Sequence, residues 1–258
     1  MRLTRLAPLA VLPLLFACGN AETTDPTPTT PEGPVTPEAP AGYQGSDTVA
    51  DGGTISGTVT YTGDQTDAML TPDKDVETCG HEHPERPAGA LLVNDGKLAN
   101  AVVYLPDVSA GKTFDVGITE VDNVACDFVP HVALGQVKGQ VAAINSDPVL
   151  HNTNITLVKG KKKIANIALP KQGQRVEKPL KKAGLVDIRC DAHSWMQGYI
   201  FVAANPYVVL TDADGAFSLS DVPAGEHTAT VWHELLGEKE MKVTVTAGGT
   251  ATLDVAYE

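Results

Sequence analysis

The chain has 258 residues, of which 42% are apolar and 20% charged, and it carries a formal net charge of −13. That length supports one large or two small domains with a sizeable core. The acidic balance argues against nucleic acid as a partner. With 24 glycines and 18 prolines but only four methionines, the composition is that of a chain with many turns.

The opening MRLTRLAPLAVLPLLFAC places Arg2 and Arg5 before an apolar run from Leu6 to Ala17. Such a run has the layout of an export signal and is too short to cross a bilayer comfortably, so residues 1–17 are set aside from the fold. The run ends in Leu15-Phe16-Ala17-Cys18, which resembles the lipobox of bacterial lipoproteins. The resemblance implies lipidation of Cys18 and an extracytoplasmic, membrane-anchored protein. The other reading is a plain secretory peptide cut nearby, with Cys18 left as a spare thiol. Gly19 stands where the family carries the aspartate of inner-membrane retention, so the resemblance favours the outer membrane or cell surface. Each buried methylene of an acyl chain adds about 0.8 kcal/mol to such an anchor. Residues 18–48 follow as a Pro/Thr-rich tether with almost no large apolar side chain, able to extend about 80 Å.

From Asp51 onward the chain breaks into short β-branched runs bounded by Gly, Pro and Asp, such as TISGTVTYTG, ANAVVYLPD and EMKVTVTAGG. No stretch of ten residues keeps a helical period. This pattern predicts an all-β chain built of sandwiches. Thr211, Asp212, Gly215, Phe217, Val222, Pro223 and Gly225 resemble the T-D-x-x-G-x-F…V-P-x-G signature of the carboxypeptidase regulatory-like, or transthyretin-like, domain. The earlier strands of that family are similar to Gly57–Gly63 and Ala101–Leu105, about a hundred residues upstream. A separation of that size is too long for a loop, so a small domain is expected between the two halves. The calcium-loop reading of Asp212-Ala213-Asp214-Gly215 lacks the further ligands of an EF-hand, which leaves a tight turn.

The intervening stretch holds Phe128, Pro130, Gly135, Gly139, Asn145, Asp147, His151 and Asn152, then Cys190, His193 and Met196 followed by Gly198. In this order and spacing the residues resemble the cupredoxins, the small blue-copper proteins. The Cys-x2-His-x2-Met loop is most similar to that of the amicyanins. The resemblance implies a Greek-key β-sandwich holding one type 1 copper, with His151, Cys190 and His193 as strong ligands and Met196 axial. Two imidazoles and a thiolate in a plane, with a distant thioether, suit an ion that cycles between Cu(I) and Cu(II), and binding must expel the Cys190 proton. The alternative is purely structural: Cys190 in a disulfide, His193 capping a turn and Met196 in the core.

With Cys18 assigned to lipid and Cys190 to copper, Cys79 and Cys126 remain, and thiols of exported chains tend to pair. The rival use of these two is a second metal site made by Cys79, His81 and His83 with Cys126 or His131. Otherwise His131, His227 and His233 read as structural. Ten Lys and Arg between Lys159 and Arg189 face only Glu177 and Asp187. That basic segment could steer an acidic redox partner, lean on anionic lipid, or simply repel neighbouring chains.

The expected organisation is therefore signal (1–17), lipidated tether (18–48), first part of the regulatory-like sandwich (49–113), a cupredoxin-like sandwich inserted into or packed on it (114–204), and its second part (205–258). The expected function is one-electron transfer to a partner such as a c-type cytochrome, by a carrier with no catalytic constellation. Trp195 would cover the metal. A copper chaperone or store, and a non-redox surface module for adhesion or polysaccharide binding, are the alternatives.

Overall fold

A computed structural model describes residues 42–80 and 85–258. Strand accounts for 54% of the described residues and helix for 2%, so the protein is all-β. The single helix among the described residues is Val76–Cys79. The expected signal, Cys18, the expected tether up to residue 41, and His81 and His83 lie outside the described residues. No helix within them is long and apolar enough to cross a membrane.

Four sheets stack face to face. The outermost centres on Gly53–Tyr61, which pairs with Ala216–Val222, Lys97–Leu98, Thr250–Thr252 and Val255–Tyr257. The second runs Val208–Leu210, Val102–Tyr104, Gly225–His233, Gly237–Val245. The third runs Val132–Gln136, Gln197–Ala203, Gly184–Arg189, His151–Leu157, Lys162–Leu169, and the fourth Asp127–Val129, Ile118–Val124, Gln140–Asn145, Gln174–Pro179. Strands 53–104 thus pair with strands 208–257, while strands 118–203 pair among themselves.

Each gap between sheets is filled by its own apolar layer. Ile55, Val59, Val103, Val231 and Tyr257 fill the first gap, and Val121, Val141, Ile155, Ile188, Ile200 and Val202 fill the last. The middle gap joins Val102, Tyr104 and Trp232 to Val132, Leu185, Tyr199 and Phe201. Ring contacts tie it: Tyr104 to Phe201 at 4.6 Å and Tyr199 to Trp232 at 5.4 Å between centroids. Such pairs add about 0.5–1.5 kcal/mol each beyond the area they bury. The third sheet is therefore covered on both faces. This explains why GYIFVA, the body of strand 197–203, is buried at every residue and reads as a continuous apolar run rather than an alternation.

The Asp212–Gly215 segment is a turn. The Asp212 carboxylate accepts the N–H groups of Asp214 and Ala216, both at 2.9 Å, and Gly215 has φ +66° with the Val59 carbonyl oxygen 2.4 Å from where a Cβ would stand. The far end of the expected tether differs from expectation: Gln44–Ser46 pairs in parallel with Ala110–Lys112. The reason is Tyr43, the only aromatic between Ala21 and Thr48. Its hydroxyl donates to the Lys112 carbonyl at 2.7 Å, and its ring sits against Phe114.

The basic segment occupies two edge strands, 162–169 and 174–179, and the turns around them. Lysines along an edge blunt strand-to-strand association. Lys159 to Lys163 surround the turn after Leu157, and His151 begins that same strand, so about 20 Å separates them at roughly 3.3 Å per residue. Arg175 and Arg189 are engaged by Glu120, Glu177 and Asp187. Most of the basic charge thus lies away from His151.

At the middle gap, the His131 ring N–H (Nε2) donates to the buried Glu234 carboxylate, while His233 accepts the Leu235 N–H through Nδ1 and leaves Nε2 buried without a partner. Burial, with the charge of His131, pushes His233 down to about 4. Burial also opposes the charge on His131, but the hydrogen bond and charge of Glu234, with Asp127 and Asp67, raise it above the ordinary histidine value. The His233 contribution to stability is present above about pH 6.5 and is lost as pH falls toward 4, because the unfolded chain protonates first; that of His131 is lost as pH rises through its raised value. Urea unfolding at about pH 7 and pH 4.5 should show His233→Asn, which keeps an acceptor for Leu235, losing less stability on acidification than the parent by roughly 2 kcal/mol.

Candidate metal centre

Strand His151–Leu157 pairs antiparallel with Gly184–Arg189 in the register Asn154 to Arg189. The start of one strand therefore lies beside the end of the other, and the loop after Arg189 folds over His151. That loop closes on itself: the Met196 N–H donates to the His193 carbonyl at 3.1 Å and the Cys190 N–H to the Met196 carbonyl at 3.3 Å. Cys190 Sγ lies 3.9 Å from His151 Nδ1 and 3.7 Å from His193 Nδ1, and the two Nδ1 atoms are 3.1 Å apart. His151, His193 and Met196 are fully buried and Cys190 nearly so. Met196 packs in the same apolar cluster as Cys190.

These separations fit a metal ion. An ion centred in a plane at about 2.0 Å from two imidazole nitrogens and 2.3 Å from a thiolate requires roughly 3.5 Å between the nitrogens and 3.7 Å from each to sulfur. The protonation pattern points the same way. His151 Nε2 donates to Asp147 at 2.9 Å and His193 Nε2 to Asp75 at 2.9 Å. With those nitrogens carrying the ring hydrogens, both Nδ1 atoms present lone pairs to each other and to a thiol that has one hydrogen to offer. A buried pair of facing lone pairs is satisfied by a cation. Burial, aided by His193 and opposed by Asp147, holds His151 below the ordinary histidine value, in the neutral form that ligation needs.

Hydrogen bonds hold the two chain segments in place. The Asn152 N–H points at Cys190 Sγ at 3.5 Å, and Asn152 Oδ1 accepts the Asp191 and Ala192 N–H groups at 2.7 and 3.2 Å. Asn154 and Asn166 both donate to the Asp191 carboxylate, at 2.9 and 2.7 Å. Asn145 ties the 146–150 turn to the Val149 and Leu169 carbonyls. Asp147 accepts the N–H groups of Ala125 and Cys126, each at 2.8 Å, besides His151.

Cys79 and Cys126 form a disulfide across 47 residues of sequence, and Cys190 is the one free cysteine among the described residues. The rival second metal site loses its thiolates to this bond, and His131 is committed to Glu234. Cys190 forms no disulfide among the described residues, against the structural alternative. Trp195 packs on His193 with 5.0 Å between ring centroids and donates to the Cys126 carbonyl at 3.3 Å, which makes it a cover. His227 donates to or accepts from nothing at the centre; its Nε2 bonds the Pro223 carbonyl at 2.7 Å. Asp75, Asn166 and Asp191 were not legible as site residues. Asp75 stands 118 residues before the histidine it touches, and no local pattern marks it.

Comparison with solved structures finds the 34% of the chain that aligns to be similar to a purple cupredoxin from Nitrosopumilus maritimus over that protein's whole length, at 26% identity and a TM-score of 0.28. An amicyanin from Paracoccus versutus aligns over 35% of this chain and 84% of its own at 19% identity and TM-score 0.30. A copper-containing nitrite reductase from Thermus scotoductus aligns over 46% of this chain at 22% identity and TM-score 0.31, with only 27% of its own length covered. One family model matches, polysaccharide lyase family 4, domain II, over residues 181–253. That match runs from strand 184–189 of the third sheet into the two outer sheets. No curated protein sequence matches the chain.

Replacing Asn152 by Ala leaves the Asp191 and Ala192 N–H groups without their acceptor and frees the Cys190 loop. The expected loss in urea unfolding is about 1–3 kcal/mol, whereas Lys171→Ala, on an exposed turn, should stay within about 0.5 kcal/mol of the parent.

Proposed function

We propose that this protein binds a single copper ion through His151, Cys190 and His193, with Met196 on the axis, and carries electrons one at a time between extracytoplasmic partners. The observation that carries the proposal is the triangle of Nδ1, Nδ1 and Sγ at 3.1, 3.7 and 3.9 Å, with both histidine tautomers already set by carboxylates. Copper bound there would supply a one-electron couple. The chain's own part is to hold the donors. His151 is fixed by Asp147, the Cys190 loop by Asn152, and His193 by its own turn and Trp195, so the donor positions depend on the β-scaffold and change little between oxidation states.

Burial of all four side chains supports a carrier rather than an enzyme, since no proposed ligand offers solvent an open position. The anchor and address belong to the same proposal: lipid on Cys18 and a tether of about 25 residues would hold the described body off a membrane face. Among the lysines of the basic segment, Lys171 lies at the His151 end, next to the Ser146 turn through its neighbour Gln172. The electrostatic contribution to partner docking is accordingly modest in this proposal, and the partner is a redox protein selected by contact at that pole.

The match over residues 181–253 to a polysaccharide lyase domain supports a second reading for the outer sandwich, as a module that docks on surface glycan. Retardation of the full chain in a polysaccharide-containing native gel would favour it.

Addition of one equivalent of Cu(II) should give an intense absorption band at roughly 600 nm from thiolate-to-copper charge transfer. Cys190→Ser should abolish the band. A weak band with tight Cu(I) binding would favour a chaperone or store instead, and no copper binding would end the proposal.

A further inference from the structure

The chain leaves the outermost sheet after Tyr61 and rejoins it at Val93–Asn94, which pairs with Lys97–Leu98. In between, its described residues, 62–80 and 85–92, reach the His151–Cys190 pole of the other sandwich. Four contacts fasten it there. Cys79 is bonded to Cys126. Arg86 donates to the carbonyls of Ala125 and Cys126 at 3.2 and 2.9 Å and pairs with Asp127. Lys74 Nζ donates to the Ala192 carbonyl at 3.3 Å. The fourth is the bond from His193 to Asp75.

Asp75 is unusual in what it forgoes. It stands at the N-cap of helix Val76–Cys79 with φ 48° and ψ 39°, and its side chain makes no capping hydrogen bond. Aspartate is favoured at that position because its carboxylate accepts a helix N–H, and a left-handed conformation costs a residue with a Cβ about 1–2 kcal/mol. Here the carboxylate is turned to His193 Nε2 at 2.9 Å. The His193 side chain is 0% exposed while that of Asp75 is 39% exposed, so solvent meets the carboxylate and not the imidazole.

We infer that Asp75 is a positioning residue for His193: carried in by the segment that the Cys79–Cys126 bond staples down, it holds the hydrogen on Nε2, aims Nδ1 at Cys190 and seals the ligand's outer edge. The inference rests on the metal-centre reading of His151, Cys190 and His193. A histidine whose outer nitrogen is engaged in this way is fixed in tautomer and ring orientation, and loss of such a partner commonly weakens metal binding 10–100-fold, roughly.

The test uses the full chain labelled with nitrogen-15, as parent, Asp75→Ala, Asp75→Asn and Lys74→Ala. In the metal-free protein, long-range proton–nitrogen spectra should show His193 as the single Nε2–H tautomer in the parent. The spectra should show a mixture in Asp75→Ala, and recovery in Asp75→Asn, whose amide oxygen still accepts. Lys74→Ala, which loosens the same segment without touching His193, should keep the parent pattern. Competition with a Cu(I) chelator should then show Asp75→Ala binding about 10–100-fold more weakly, with Asp75→Asn in between. A parental tautomer and parental affinity in Asp75→Ala would overturn the inference. If the parent binds no copper the metal-centre reading fails, and the tautomer spectra still decide whether Asp75 positions His193.

Discussion

The register between strands 151–157 and 184–189 is the constraint on which the candidate metal site depends. With Asn154 opposite Arg189, the first residue of one strand and the loop after the other meet on the buried face. A slip of one residue would turn His151 to the opposite face, away from Cys190. That register is itself specified by burial: Thr153, Ile155 and Leu157 alternate inward along one strand, and Val186 and Ile188 along the other. Apolar patterning far from any ligand thereby sets the distance between nitrogen and sulfur.

The third sheet carries this strand pair with apolar layers on both sides. A sheet packed on one face can flex toward solvent; this one is held between the 118–203 core and the ring contacts with Tyr104 and Trp232. Close-packed interiors transmit displacement instead of absorbing it, so the outer sandwich, which contributes no proposed ligand, contributes rigidity. It also contributes Asp75, since the segment bearing that residue starts and ends in the outermost sheet. The two sandwiches are thus joined twice, by a broad apolar contact and by a covalently fastened strap over the candidate metal site.

Much of this was legible in the sequence for identifiable reasons. Strands announce themselves by β-branched runs and turn residues. Cys190, His193 and Met196 are legible because three ligand types at short, equal spacing on one loop are uncommon, and Asn145, Asp147 and Asn152 because they cluster around His151. What stayed hidden is long-range. Asp75, Asn166 and Asp191 act across 118, 14 and 39 residues respectively on His193 and Asn152, and a polar residue in a turn carries no mark of the partner it will meet. The placement of the lysines was hidden for the same reason. Their number is a property of the chain, but their distance from His151 is set by which end of each strand a turn falls on.

The closed outer edge of His193 bears on how the proposed centre would exchange electrons. A ligand edge open to solvent lets a docking partner approach within contact of the imidazole. Here Asp75, the Val76–Cys79 turn and Trp195 stand in that path, and Val76 is itself largely exposed. Partner contact at this pole would therefore fall on the strap and not on the ligand, and the apolar side chain presented there belongs to the first half of the chain. The same arrangement buries both imidazoles, so bulk solvent does not reach the facing Nδ1 lone pairs that the proposed copper ion would complete. Sealing and ligand preorganisation are in this sense one property. The carboxylate that closes the edge is also the group that sets which nitrogen of His193 faces Cys190 and the proposed metal ion.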